Sequence, residues 1–272
     1  MEATLEKLFA VYEKEELIPF VGSGFSYPFE IPTWESLITE LAKKVPPQFH
    51  PSIEYDISIN DYWSAILNIK KYGNWDELEL QEYVREIILE KQSTTKLDDE
   101  HNYCDLLSLN FNTFITTNYD NLLYENIKGG KDIPLNLHEW TGGSMGLKGT
   151  KERKRVWHLH GNLSNVGSIV LSKEKYDELY ENEKYNNFFS VLEGNNSFLF
   201  LGFSFNDFYF KNLLKKYNDI FKVSHFILID RPSQKQIIDL KEQYRLNVIP
   251  YDSTKNGHVS EIRNFLNKLK KN

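Results

Sequence analysis

A short glycine- and serine-rich segment follows the first apolar run of the chain. The run, Leu17–Val21, is typical of a buried strand. The residues after it that could serve a ligand are Gly22, Ser23, Gly24 and Ser26. Glycines at such a place let the backbone come close to a pyrophosphate, and the amides that follow can donate to it. The segment therefore predicts a phosphate-binding loop, with a plain strand-to-loop turn as the alternative.

This segment lacks two features of the dinucleotide-binding dehydrogenases. Their fingerprint has a third glycine, where this chain has Tyr27. Their fingerprint also has an acidic residue about twenty residues further on, at the end of a second strand, and no such residue ends an obvious strand here. Hydride transfer by an enzyme of that kind is therefore disfavoured.

Polar side chains also follow the next apolar run, Thr113–Thr116. Thr117, Asn118 and Asp120 could hydrogen-bond a ribose from the end of this strand. Asp120 has an ordinary alternative role as the cap of Asn121–Ile127, in a helix predicted at about 119–127. Asn118 precedes that cap, where a polar amide has no structural duty, so we expect it to contact a ligand.

Two histidines lie at the end of a third apolar run, Val156–Leu159. His158 and His160 would share one face if the strand continued that far, but no third ligand of suitable spacing completes a metal site. His160 precedes Gly161, and we expect it to be exposed in a cleft and to titrate near physiological pH, as a general base requires. The histidines that we interpret as structural are His158, His101 and His225.

Two later strand ends carry further candidates. Gly202 and Ser204 follow the run Phe198–Leu201 and could cradle phosphate, unless the polar residues there only cap the next helix. Asp230 follows the run His225–Ile229, and its carboxylate could bind ribose hydroxyls or simply lie in water. Because ligands of parallel sheets bind at the carboxyl ends of the strands, we expect these candidates at one edge.

The elements that position these residues alternate between strand and helix. Apolar strands with helices between them indicate a parallel sheet covered on both faces, so we predict a Rossmann-like α/β fold. Residues 46–99 begin at a Pro-Pro break and have mostly helical periodicity, which we interpret as a helical insertion forming a sub-lobe of a single domain, 1–272. The other predicted elements are a helix capped by Thr33 and ending at Val45, a strand at Leu246–Ile249, and helices near 172–182, 206–218, 233–244 and 258–270.

The composition limits the classes of function. Acidic residues outnumber basic ones by 39 to 32, and the net charge of −7 argues against binding to nucleic acid. The apolar runs are too short for a membrane span and the first residues do not form a secretion signal, so we predict a cytoplasmic protein without membrane contact. Cys104 is the single cysteine, which excludes a multi-cysteine zinc site, and we expect no metal.

The order of these segments resembles the sirtuins, and most closely the sirtuin-like domains of bacterial antiphage defence proteins. The similarity runs from about Leu17 to Tyr251. The segments that carry it are Gly22–Ser26, Ile31-Pro32, Thr117–Asp120, His160-Gly161 and Gly202–Ser204. The resemblance implies a Rossmann-like fold in which NAD lies across the strand ends.

The resemblance also implies a role for each matched residue. Asn118 and His160 would be catalytic, the first as a contact of the nicotinamide and ribose and the second as the general base. The residues that would hold NAD are Gly22, Ser23, Gly24 and Ser26 in the first loop, Thr117 and Asp120 in the second, Gly202 and Ser204 in a second phosphate loop, and, more approximately, Asp230 at a ribose.

Two departures separate the chain from the protein deacylases of this family. Those enzymes carry a four-cysteine zinc module, and their Pro-x-Phe-Arg segment is here Pro32–Glu35, without the arginine. Both differences argue against acyl-lysine chemistry and match the defence branch, whose usual activity is hydrolysis of NAD to nicotinamide and ADP-ribose. A protein deacylase or ADP-ribosyltransferase is one alternative, and a non-catalytic NAD- or ADP-ribose-binding regulatory subunit is another.

An unrestrained NAD hydrolase would consume the cofactor of its own cell, so we expect a switch. We expect activation from outside the chain, through assembly into a homo-oligomer or through a regulatory partner protein. Trp63 and Trp75 of the insertion could supply contact surface, because tryptophan is enriched at interfaces. The alternative is that both rings are internal to the sub-lobe.

Overall fold

A parallel sheet forms the centre of the computed structural model, which describes residues 2–93, 96–129, 135–136, 146–194, 196–203, 214 and 223–271. Its strands are β1 (Leu17–Val21), β2 (Thr113–Thr116), β3 (Leu135–Asn136), β4 (Arg155–His158), β5 (Ser197–Leu201), β6 (His225–Asp230) and β7 (Leu246–Tyr251). Within these ranges the order across the sheet is β3-β4-β2-β1-β5-β6-β7, and every pairing is parallel. The predicted Rossmann-like α/β fold is confirmed.

Helices cover both faces of this sheet. They are α1 (Glu2–Glu13), α2 (Trp34–Lys43), α3 (His50–Ser58), α4 (Tyr62–Gly73), α5 (Glu77–Lys91), α6 (Tyr103–Leu107), α7 (Leu122–Glu125), α8 (Lys173–Glu181), α9 (Glu183–Glu193), α10 (Gln234–Tyr244) and α11 (Ser253–Lys271). Thr33 caps α2 as predicted, its Oγ1 accepting from the amide of Ser36 at 3.4 Å, although the helix ends at Lys43 rather than Val45.

Alternate side chains of each strand enter two separate cores, as the period of two along a strand requires. Val21 and Phe114 lie in a core shared with α1 to α7 and α11. Phe20 and Ile115 lie in a core on the opposite face, shared with α8, α9 and α10. The helices α3 to α5 of the predicted insertion contribute to the first core, and their standing as a sub-lobe remains a prediction. None of the helices in the described ranges has both the length and the apolar composition of a membrane span.

Three differences from the sequence-based elements concern the regions between strands. The helix predicted over 119–127 is present only as α7. The Asp120 carboxylate accepts a hydrogen bond from the amide of Leu122, and the residues before Leu122 are not helical. The short strand β3 and the helix α9 were not predicted. The helix predicted near 206–218 lies outside the described residues apart from position 214.

The loops with most of the candidate residues meet at the middle of the sheet. β1 pairs with β2 on one side and with β5 on the other, so their carboxyl ends are adjacent. The chain enters one half of the sheet through β2 and the other through β5, which makes β1 the point where the strand order reverses. Ligands of open α/β sheets bind at such a point.

Candidate active site

The first loop, Gly22–Ser26, is in direct backbone contact with the loop at Gly202. The amide of Gly22 donates to the carbonyl of Leu201 at 2.8 Å, and that of Gly24 donates to Gly202 O at 2.9 Å. A Cβ on Gly22 would lie 2.8 Å from Gly202 O. Gly202 has φ of +74°, and a Cβ there would lie 2.6 Å from the amide nitrogen of Phe25. Glycine is therefore required at both positions by the packing of one loop on the other.

This packing supports the turn interpretation of the glycines directly, whereas phosphate binding remains a prediction. Ser23 is half-buried and Gly24 is exposed, so the outer part of the first loop is accessible to a ligand. Thr117 is half-buried at the end of β2, and its amide donates to Val21 O at 3.4 Å. Ser204 lies outside the described residues.

Ser26 is the centre of a buried hydrogen-bond network that joins the first two loops. Its Oγ donates to Oδ2 of Asp120 at 2.8 Å and accepts from Nδ2 of Asn118 at 3.0 Å. A third contact, of 2.6 Å, joins Ser26 Oγ to the hydroxyl of Tyr103. Because the single proton of Ser26 is given to Asp120, Tyr103 must be the donor in this contact. The three contacts use the full hydrogen-bonding capacity of the serine hydroxyl.

The expectation that the Asn118 amide has no structural role is wrong, because it joins two loops by hydrogen bonds. Besides Ser26, its Nδ2 donates to Gly22 O at 3.2 Å, which ties the second loop to the first. A flipped amide would set its oxygen against the Gly22 carbonyl, so the network fixes the orientation. Oδ1 is buried and has no hydrogen-bond partner among the described residues. A buried acceptor without a partner is suited to accept a hydrogen bond from a bound ligand.

Asp120 is held inside the network rather than presented to a ribose. The residue is 2% exposed, and its Oδ1 accepts from the amide of Leu122 at 3.1 Å, the first residue of α7. Burial raises the pKa of Asp120 to about 6, although the hydrogen bonds from Ser26 and from the Leu122 amide oppose the shift. This local hydrogen bond to the start of α7 accounts for the carboxylate, although Asn121 rather than Asp120 is the N-cap residue, and the ribose contact remains a prediction.

The expectation that His160 is exposed is wrong. β4 ends at His158, so the two histidines do not share a strand face, and His160 is only 3% exposed. Its Nε2 is 2.7 Å from the hydroxyl of Tyr180 on α8, and the rings of Tyr176 and Tyr180 pack against it. Burial lowers the pKa of His160 to about 3, far from the physiological range expected of it.

The histidines interpreted as structural do support the fold. His158 Nδ1 donates to the backbone carbonyl of Asn118 at 2.9 Å, which steadies the second loop from behind. Burial lowers the pKa of His158 to about 4 despite this bond. His225 accepts from the amide of Phe198 at 2.9 Å, and burial lowers its pKa to about 3.

Asp230 lies apart from this network, at the end of β6. Its carboxylate accepts from the amide and the hydroxyl of Ser253, both at 2.8 Å, at the start of α11. Burial alone would raise the pKa of Asp230, but the hydrogen bonds from Ser253 and Arg231 outweigh it and hold the pKa below its usual value. A helix-capping role accounts for this residue, and its contact with a ribose remains a prediction.

A family model described as a SIR2-like domain matches residues 112–249, about half of the chain. The chain belongs to this family. The matched region holds Asn118, Asp120 and His160, whereas the first glycine loop precedes it.

Curated relatives of this SIR2-like chain carry one name, NAD(+) hydrolase ThsA. The chain is 22% identical to the one from Enterococcus faecium over 260 residues, which cover 93% of this chain and 51% of the relative. It is 25% identical to the one from Cytobacillus dafuensis over 226 residues, 76% of this chain and 42% of the relative. For Bacillus cereus (strain MSX-D12) the identity is 24%, over 71% of this chain and 38% of the relative. The chain spans about half the length, or less, of these relatives.

Two tyrosines that contact residues of the candidate site were not predicted from the sequence. Tyr103, on α6, donates to Ser26, and Tyr180, on α8, contacts His160. Neither follows an apolar run, and the chain has 16 tyrosines, so no local pattern distinguishes these two. Only the packing of distant helices onto the strand ends identifies them.

One group of possible metal ligands is present in the described ranges, away from the glycine loops. Asp98, His101 and Cys104 place ligand atoms within 4.8 Å of one another. His101 Nδ1 accepts from the amide of Tyr103 at 3.2 Å, so its ring proton is on Nε2. Burial raises the pKa of the Cys104 thiol. To bind a metal, the Cys104 thiol would have to lose its proton, and neutral His101 would have to give up the hydrogen bond from Tyr103 or move its ring proton off Nε2, which disfavours the site near neutral pH.

Zinc is therefore expected at well below one atom per chain in purified protein. Elemental analysis of protein prepared without chelator measures this content, and Cys104→Ser serves as the matched variant. Treatment with a chelator is expected to leave catalysis unchanged, since no residue of the Ser26 network belongs to the cluster. A content of one zinc per chain that falls in the Cys104→Ser variant would contradict the expectation.

Proposed function

We propose that this SIR2-like chain hydrolyses NAD⁺ at the bond between nicotinamide and ribose, giving nicotinamide and ADP-ribose. The observation that carries the proposal is Asn118 Oδ1, a buried acceptor with no partner among the described residues, fixed at the switch point of the sheet. The curated relatives named NAD(+) hydrolase support the choice of substrate.

The reaction needs little from the protein at the leaving group. Nicotinamide in NAD⁺ carries a positive charge, so when the glycosidic bond breaks its electron pair neutralises the ring. The barrier lies in the oxocarbenium character of the ribose, as in glycoside hydrolysis. Water adds to C1′ and loses a proton. In this proposal Asn118 orients the ribose or the water, and His160 accepts the proton, an assistance worth about 10²- to 10⁴-fold.

His160 can take this part only after a local change. Its low pKa keeps the imidazole neutral but also makes it a weak base, and Tyr180 engages its Nε2 while neighbouring rings cover it. The proposal therefore includes a displacement of the Tyr180 contact when NAD⁺ binds or when the protein is activated.

Incubation of the protein with NAD⁺ and chromatography of the products test the proposal. Nicotinamide and ADP-ribose released without an acyl-peptide are the expected result. Release only with acyl-peptide would identify a deacylase, and transfer of ADP-ribose to a protein would identify an ADP-ribosyltransferase. No release in any condition, together with NAD⁺ or ADP-ribose binding, would identify a regulatory binding subunit.

We further propose that the protein acts in the cytoplasm as an NAD-depleting effector of antiphage defence. The resemblance to sirtuin-like defence domains supports this role. Its control would come from self-assembly or from a partner protein. Trp63 and Trp75 pack against Tyr176 and Tyr83 respectively, so these rings are partly internal. The insertion's outer surface has other exposed apolar side chains: Tyr55, Ile59, Leu67, Leu78 and Leu89.

Specific activity is accordingly expected to rise with protein concentration, in step with the oligomer fraction. Size-exclusion chromatography and NAD⁺ cleavage measured on one dilution series check this. Leu67→Glu, on the exposed side of α4, is expected to reduce both. Full specific activity in a strictly monomeric protein without any partner would contradict this control.

A further inference from the structure

We infer that Tyr103 is a positioning residue for Asn118, acting through Ser26. The hydroxyl of Tyr103 is 2.6 Å from Ser26 Oγ, which in turn accepts from Asn118 Nδ2 at 3.0 Å. Tyr103 precedes Asn118 by fifteen residues and belongs to none of the loops at the strand ends. The catalytic part of this inference rests on the proposed function, whereas the structural part does not.

The direction of each hydrogen bond carries the inference. Ser26 donates its only hydroxyl proton to Asp120. It can therefore act only as an acceptor, through a lone pair of Oγ, in the hydrogen bond from Asn118 Nδ2. The donor from Tyr103 fills the second lone-pair direction and prevents the serine hydroxyl from turning away from Asp120. Burial raises the pKa of Tyr103 well above its usual value, and the Asp120 carboxylate adds to this shift. The hydroxyl therefore remains a donor throughout the physiological range.

The packing around the Tyr103 ring fixes the position of its hydroxyl. The residue is fully buried, and its ring contacts Phe25 and Phe29 at centroid distances of 5.2 and 6.0 Å. Arg263 of α11 clamps the adjoining backbone. Its Nε donates to both carboxylate oxygens of Asp105 at 3.0 Å, and its Nη2 donates to the carbonyl of His101 at 2.8 Å.

Loss of the Tyr103 hydroxyl would release the orientation of Asn118. Without that donor, Ser26 Oγ has a free lone pair and can rotate about its Cα–Cβ bond. The Asn118 amide then loses one of the two acceptors that fix its orientation, and Oδ1 is no longer directed to one place. The ring and its packing are retained when phenylalanine replaces tyrosine, so the change is confined to the interactions of the hydroxyl with Ser26 and with the Asn118 side chain.

Tyr103→Phe is expected to lower kcat for NAD⁺ cleavage roughly tenfold, the rate equivalent of one neutral hydrogen bond, with KM little changed. Tyr12→Phe is the matched control, because the Tyr12 hydroxyl likewise makes a hydrogen bond, accepting from the amide of Asn110, and its ring packs on Phe111, but it lies on α1. In the Asn118→Ala background, Tyr103→Phe should cost nothing further. An equal further loss in that background would overturn the inference.

A measurement without turnover separates this inference from the proposed function. In protein labelled with ¹⁵N-asparagine, the side-chain amide signal of Asn118 is identified by its absence from Asn118→Asp. Tyr103→Phe should shift this signal and speed its exchange with water, while Tyr12→Phe should leave it unchanged. An unaltered Asn118 signal in Tyr103→Phe would overturn the inference even if NAD⁺ is cleaved. A protein that never cleaves NAD⁺ but shows the shift would refute only the proposed function.

Discussion

Replacing Asn118 with alanine is expected to lower kcat for NAD⁺ cleavage by about 10²- to 10³-fold, the loss seen when one preorganised polar group leaves an active site. The substitution removes Oδ1, the buried acceptor available to a ligand, and the two hydrogen bonds donated by Nδ2 that join the first two loops.

His160→Ala is expected to lower kcat for NAD⁺ cleavage by about 10²- to 10⁴-fold, because it removes the proposed base. Single-turnover measurements of nicotinamide release at saturating NAD⁺ check both values.

His225→Asn provides the control for loss of a buried histidine. His225 is as buried as His160, but it lies at the amino end of β6, away from the carboxyl ends of the strands. An asparagine Oδ1 can replace the ring nitrogen that accepts from Phe198 N. This variant should cleave NAD⁺ at the wild-type rate. Wild-type rates in Asn118→Ala and His160→Ala, with circular dichroism unchanged, would show that the site is assigned wrongly.

The sheet could be predicted because its information is local. Each strand is a short apolar run, and a parallel sheet buried on both faces requires no other pattern. The turn after β1 was also predictable, since only glycine fits where the Gly202 loop approaches Gly22. By contrast, β3 spans two residues, Leu135–Asn136, which is too short to leave any periodic pattern.

The environment of the site residues could not be predicted, because it depends on helices far away in sequence. Ser26 and Tyr103 are 77 residues apart, with the whole insertion between them. His160 looked exposed because a glycine follows it, yet Tyr180, twenty residues later, returns on α8 to cover it. A pKa depends on that burial, so the protonation behaviour of His160 could not be inferred from its neighbours in the chain.

Acid is expected to destabilise the fold steeply between about pH 6.5 and 4. Burial lowers the pKa of His158 to about 4 and those of His160 and His225 to about 3, from 6.5. Below pH 6.5 the unfolded chain binds protons at these histidines and the folded protein does not. The free energy of unfolding therefore falls as the pH is lowered, by about 1.4 kcal/mol per pH unit for each such proton.

Protonation of Asp120 has the opposite effect on the free energy of unfolding. Its pKa is raised from 3.8 to about 6, so between these values the folded protein binds a proton that the unfolded chain lacks. This group alone would make the fold more stable as the pH falls. Three histidines against one aspartate leave about two protons taken up on unfolding, or about 3 kcal/mol per pH unit. Over two pH units this loss is comparable to the whole stability of many domains, about 5 to 15 kcal/mol.

Urea unfolding at a series of pH values and constant ionic strength measures the slope, and two variants apportion it. His225→Asn removes one titrating group far from the site, so its slope should be smaller by about 1.4 kcal/mol per pH unit. Asp120→Asn removes the opposing group, so its slope should be steeper by a similar amount. A wild-type stability that is flat from pH 6.5 to 4 would contradict the burial of these histidines. Because His225 is remote from NAD⁺ in the proposed function, its slope tests the fold even if the chain cleaves nothing.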